Sequence, residues 1–194
     1  MPEEIRSFVA IELPEELKSH LAEIQRILKR QTGSAPIRWV DVNGIHLTLK
    51  FLGNVPAGQI EAVGAALARA CAGVAPFALS VGGLGCFPNF NRPNVVWVGV
   101  GGDMAVLERL HAQIEAQIAP LGYPTEKREF RPHLTLGRVR HAAPAEARRI
   151  GEIVRAVNLG TGVTEWRVGE VVLMRSDLSP AGAKYTRLKS VSFG

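Results

Sequence analysis

The sequence predicts a mixed α and β protein built from two similar units, and three observations carry that expectation. The 194 residues are 46% hydrophobic and 21% charged, ordinary globular proportions that suffice for one domain or two closely packed lobes. Segments with strand alternation and segments with helical spacing follow one another in an order that occurs twice. The tetrapeptide His-Leu-Thr-Leu also occurs twice, at His46–Leu49 and His133–Leu136, at corresponding places in the two series.

The first series opens with the β-rich Arg6–Leu13. Pro14-Glu15-Glu16 then starts a helix, with proline and acid in its first turn. Leu17, Leu21, Ile24 and Leu28 form its apolar stripe, and Lys29 and Arg30 suit its C-terminal end. Ile37–Val42 and Gly44–Gly53 read as extended. In the latter, Ile45, Leu47, Leu49 and Phe51 share one face and His46, Thr48 and Lys50 the other. A helix over Gln59–Cys71 turns Ile60, Val63, Leu67 and Cys71 inward. Phe77–Val81 is a strand, and Gly82-Gly83-Leu84-Gly85 reads as the turn that ends it.

The second series runs the same way. Asn94–Val100 is a buried strand, and Met104, Leu107, Leu110, Ile114 and Ile118 mark a helix stopped by Pro120-Leu121-Gly122. Phe130–Val139 is extended, Ala145–Val157 helical with Ile150, Ile153, Val154 and Val157 inward, Glu165–Ser176 a strand, and Tyr185–Ser192 a last short strand. Phe8 precedes His46 by 38 residues and Val96 precedes His133 by 37, so the histidines occupy nearly the same frame. The polar, proline-containing Asn89–Asn94 reads as the junction, giving one domain of residues 1–194 with lobes of about 1–90 and 91–194.

Composition excludes several classes. No apolar run approaches the roughly 18 to 20 residues that cross a bilayer, and the acidic start Met1-Pro2-Glu3-Glu4 lacks a basic n-region and an apolar h-region. The expectation is a cytoplasmic protein without a membrane partner. Cys71 and Cys86 are too few for a disulfide framework and lack metal-ligand spacing, so both read as small buried hydrophobes. The net charge of +5 is scattered and decides nothing about partners.

The chemistry lies in the repeat. Residues i and i+2 of a strand point the same way, so each motif offers an imidazole and a hydroxyl on one face. If the units pack about a pseudo-twofold axis, two His/Thr pairs face each other across a cleft. In-line cleavage of a phosphodiester needs a base for the attacking hydroxyl or water and an acid for the departing oxygen, and histidine serves as either near neutrality. Thr48 and Thr135 would donate to the non-bridging phosphate oxygens. Arg131, two residues before His133, is the best candidate for an added cation. Lys50 is a weaker one, because a lysine at a strand end is usually just solvated.

These residues resemble the 2H phosphoesterases, whose signature is two H-x-T-x motifs in duplicated halves. Arg6–Ile11, His46–Gly53 and Phe130–Arg138 are similar to strings of the RNA 2′,3′-cyclic phosphodiesterases, formerly named 2′-5′ RNA ligases. So are Gly85-Cys86-Phe87-Pro88, Val95–Gly99 and Tyr185-Thr186-Arg187-Leu188. The resemblance runs nearly end to end. It implies a bilobal α+β fold of two pseudo-twofold-related sheets with outer helices and a central cleft, acting on RNA or oligonucleotide ends; the expected state is a monomer. It further implies metal-independent hydrolysis of 2′,3′-cyclic phosphates to 2′-phosphomonoesters without a cofactor, with His46 as proton donor and His133 as proton acceptor.

Other readings compete with this one. H-x-T lacks a third ligand at metal spacing. His20 and His111 on helices and His141 in a turn read as surface or flank residues, and Trp39, Trp97 and Trp166 as core. A purely RNA-binding module would need a continuous basic face with exposed aromatics, which a chain with 6% aromatic residues and no RNP-type string does not show. Joining of RNA ends in the same cleft is the reverse reaction, and the concentration of water favours hydrolysis over it.

Overall fold

A computed structural model describes residues 3–159, 164–179 and 182–194. In chain order the elements are β1 (Glu4–Glu12), α1 (Glu15–Thr32), β2 (Ile37–Trp39), β3 (His46–Pro56), α2 (Ile60–Cys71), β4 (Phe77–Phe87), β5 (Val95–Gly102), α3 (Met104–Ile118), β6 (His133–Val139), α4 (Pro144–Ala156), β7 (Thr164–Val168), β8 (Glu170–Ser179) and β9 (Gly182–Ser192). The strands form two antiparallel sheets, ordered β3-β1-β8-β9 and β2-β6-β5-β4-β7. The α+β class and the duplication expected from the sequence are both present.

The helices form where the apolar stripes fall. Leu17, Leu21, Ile24 and Leu28 of α1 are buried, as are Leu107, Leu110, Ile114 and Ile118 of α3. They pack with Val9, Ile11, Leu47, Val96, Val98 and Leu134 into the main core. Both cysteines are buried, which pushes their thiols up to about 11 for Cys71 and about 12 for Cys86, far from a reactive thiolate.

The sheets do not follow the halves of the chain. β4 leaves the first half and pairs with β5, so Asn89–Asn94 lies in the loop of that hairpin, where Asn89 Oδ1 accepts the N–H groups of Asn91 and Arg92. β8 and β9 return to the first sheet. Each sheet thus contains strands from both halves.

Several boundaries differ from expectation. Gly82–Gly85 is no turn: it lies inside β4, where Gly83, at φ 68°, is the extra residue of a bulge between the pairs Gly82/Gly99 and Leu84/Val98. Gly85 pairs with Trp97, and a Cβ there would stand 2.1 Å from the indole, so only glycine seats that ring. Glu165–Ser176 breaks at Gly169 into β7 and β8, which join different sheets. Ile37–Val42 stops as a strand at Trp39, because Val42–Gly44 turns with Asp41 accepting the N–H of Asn43. The strand expected from Phe130 begins only at His133.

Candidate active site

Two pairs of strands carry the motifs, β1 with β3 and β5 with β6. Ala10 opposes Thr48 and Trp97 opposes Thr135, so both pairs share the 87-residue offset of the histidines (133 − 46 = 87). Phe8 therefore corresponds to Val95, one residue before the Val96 expected from sequence. β2 covers only Ile37–Trp39 opposite Gly137–Val139, and β3 runs close beside β6. The structure thus brings the two motif strands together.

The imidazoles are held alike. Nδ1–H of His46 donates to the carbonyl of Gly44 at 2.8 Å, and that of His133 to the carbonyl of Arg131 at 2.7 Å. A carbonyl only accepts, so in each ring Nδ1 carries the proton and Nε2 is the nitrogen left to gain or lose one. Each ring sits among aromatics. His46 stacks on Phe8 at 4.6 Å and meets the edge of Tyr185 at 4.9 Å. His133 meets Phe87 at 4.8 Å and Trp97 at 6.2 Å. Trp97 is half-buried on the site's face, not in the core as its residue type suggested.

Burial lowers the pKa of both rings, but their charged neighbours differ. For His46, opposite Glu12 across the β1–β3 pair, desolvation is opposed by the Gly44 hydrogen bond and by the Glu12 carboxylate. For His133, desolvation is opposed by the Arg131 carbonyl and reinforced by the positive charge of Arg138. Arg187 of β9 pairs with Glu12 and lies 3.2 Å from Glu170.

A bulge in each motif explains which residues follow the histidines onto the site's face. Val9 opposes Lys50 and Ala10 opposes Thr48, so Leu49 is the extra residue; Val96 opposes Gly137 and Trp97 opposes Thr135, so Leu136 is. Beyond a bulge the alternation inverts. Lys50 is accordingly turned away from His46 and Thr48, contrary to the face read from the sequence. It is 1% exposed, its Nζ 2.8 Å from Glu115 of α3 and 2.9 Å from the carbonyl of Pro124. The same Glu115 oxygen accepts the N–H of Glu126, and His111, read from the sequence as a surface or flank residue, stacks on Phe130 at 3.9 Å. This cluster fixes the segment that delivers the Arg131 carbonyl to His133.

The inversion brings Phe51 and Arg138 onto the site's face, each five residues after its histidine. Phe51 opposes Phe8, its ring 6.3 Å away and 61% exposed. Arg138 opposes Val95, two residues from Trp97 on the same face. The hydroxyls of Thr48 and Thr135 are engaged by no other side chain among the described residues. The Arg131 side chain is 68% exposed, with Nε and Nη2 donating to Glu129 at 3.0 and 2.9 Å. Among the described residues no group of His, Cys, Asp and Glu is arranged to hold a metal ion, and no helix is long and apolar enough to cross a membrane.

Residues 13–180 match the 2′-5′ RNA ligase superfamily. The chain belongs to that family. It is 34% identical, over 95% of its length and 97% of the relative's, to the RNA 2′,3′-cyclic phosphodiesterase of Methanothermobacter thermautotrophicus. It is 33% identical to the protein so named in Thermus thermophilus, covering 97% of this chain and 90% of that one. The crystal structure of E. coli LigT complexed with 3′-AMP superposes with a TM-score of 0.73 at 26% identity, covering 98% of this chain and 99% of that one. A crystal structure of TT0787 from Thermus thermophilus gives 0.73 at 30% identity, covering 97% and 98%.

Proposed function

We propose that this family member hydrolyses RNA 2′,3′-cyclic phosphate ends to 2′-phosphomonoesters by metal-independent two-histidine catalysis. The observation that carries the division of labour is the pair of opposite charges beside two identically anchored rings. Glu12 favours the charged form of His46, suiting it to donate a proton, and Arg138 favours the neutral form of His133, suiting it to accept one. Named relatives with this activity support the substrate class.

In this mechanism Nε2 of His133 takes a proton from water as the water oxygen bonds to phosphorus. The bond from phosphorus to O3′ breaks, and Nε2 of His46 protonates the departing O3′, leaving the phosphate on O2′. Thr48 and Thr135 donate to the non-bridging oxygens, and Arg138 stabilises the charge gathering there. Arg131 contributes its carbonyl to His133, and its guanidinium exchanges Glu129 for substrate phosphate at the rim. Phe51 offers an exposed ring on which the terminal base stacks.

Phosphorus NMR of a 2′,3′-cyclic phosphate incubated with the protein and EDTA tests this reading. The expected product is the 2′-phosphomonoester. An unchanged spectrum removes the proposed activity, and a 3′-phosphate product overturns the regiochemistry.

A further inference from the structure

Arg38 of β2 and Arg138 of β6 are direct partners in the antiparallel pair, so their side chains leave the same face. That face is the one carrying His133, Thr135 and Trp97, because the bulge at Leu136 turns Arg138 onto it. Like charges placed directly opposite on neighbouring strands repel and are destabilising by themselves. Two features add to the juxtaposition. The ladder continues past the strand end, with the N–H of Arg140 donating to the carbonyl of Pro36 at 2.8 Å, and alternation places Arg140 on the face of Arg138. A Cβ added at Gly182 of β9 would stand 3.8 Å from Nη2 of Arg38, so the Arg38 head group reaches from the second sheet to the first. Arg138 makes no ion pair among the described residues.

We propose that Arg38 and Arg140, flanking Arg138, form a second anion subsite for the phosphodiester that joins the terminal nucleotide to the one before it. The enzyme is then built for RNA ends in preference to free cyclic nucleotides. This rests on the function proposed above and extends it. Two residues of strand span about 7 Å, so Arg140 continues the line of His133, Thr135 and Arg138 away from the reacting phosphorus, and Arg38 lies beside Arg138 on the neighbouring strand. Guanidinium is suited to the task, because its fork matches two phosphate oxygens and its charge persists at every working pH.

Binding of reaction products tests the subsite separately from turnover. The probes are a nucleoside 2′-monophosphate and the dinucleotide that ends in the same group, which adds one internal phosphodiester. The wild-type protein is expected to bind the dinucleotide about tenfold more tightly, with a steeper loss on adding salt. In Arg38→Ala that margin and the extra salt slope should disappear, and Arg38→Lys should restore part of both. A wild-type protein without the margin, or a margin that survives Arg38→Ala, overturns the proposal. Turnover of the two cyclic phosphates reports separately on the function: its failure with the binding margin intact would count against the hydrolysis, not against the subsite.

Discussion

The surroundings of His46 and of His133 share a backbone and differ in side chains. Both rings lie two residues past the carbonyl that anchors them, both precede a threonine on the same face, and both strands bulge at the fourth motif residue. Beyond that the two sides part. The first has Glu12, Phe51 and Tyr185 on its face and Lys50 behind; the second has Arg138, Trp97 and Phe87 on its face and Gly137 behind. Duplication explains two interchangeable imidazoles in a common frame. The proposed division into one acid and one base rests on the divergence of their charged neighbours.

Removal of either ring should have the largest effect. His46→Ala and His133→Ala should each lower turnover of a cyclic phosphate at least about a hundredfold while leaving the fold intact by circular dichroism. The double variant should be far less impaired than the product of the two effects, since in the proposed mechanism both groups serve one displacement.

The residues behind the rings should show the next largest effect, because the first motif carries a buried ion pair at this position and the second a glycine. Lys50→Met leaves Glu115 buried without its lysine, with the N–H of Glu126 and His111 at 3.8 Å still beside it, and loss of one partner of a buried ion pair costs about 3–5 kcal/mol. Chemical denaturation should register that loss. Gly137→Ala, the corresponding change on the other side, meets Ile37 at 2.8 Å and should destabilise by about 1–3 kcal/mol, the usual cost of overpacking. Equal losses at the two positions would contradict the asymmetry.

Much of this was legible in the sequence, and what was not has identifiable causes. The stripes of α1 and α3 and the face shared by His46 and Thr48 follow from spacing alone, because helical and strand periods are local. The faces of Lys50, Phe51 and Arg138 do not follow from local alternation because a bulge belongs to a strand pair: nothing in His-Leu-Thr-Leu says that Leu49 and Leu136 lie opposite no residue. The exchange of β4 into the second sheet is likewise a matter of tertiary pairing. Gly82–Gly85 carries turn composition, yet Gly85 is there to seat Trp97, a contact between strands. Tyr185 approaches His46 from β9, at the far edge of the first sheet, a meeting no local pattern encodes.

Smaller effects sharpen the roles of the two sides. Thr48→Val and Thr135→Val should each lose about 1–3 kcal/mol of transition-state stabilisation, read from kcat/KM. The charged neighbours should move the pH profile. Glu12→Gln removes an influence that raises the pKa of His46, so the acid loses its proton sooner and the alkaline limb moves to lower pH. Arg138→Gln removes one that lowers the pKa of His133, so the base is neutralised later and the acidic limb moves to higher pH. The limbs belong to the coupled pair, and movement of both in the same direction would contradict separate roles.

The division into acid and base is tested most directly by leaving-group rescue. An aryl phosphodiester with a weakly basic leaving oxygen needs little protonation as it departs, while water still needs a base. His46→Ala should therefore recover most of its lost turnover on the aryl substrate, and His133→Ala should remain impaired. Recovery of His133→Ala alone would reverse the assignment of donor and acceptor, and equal recovery of both would show that the opposite charges of Glu12 and Arg138 do not divide the labour.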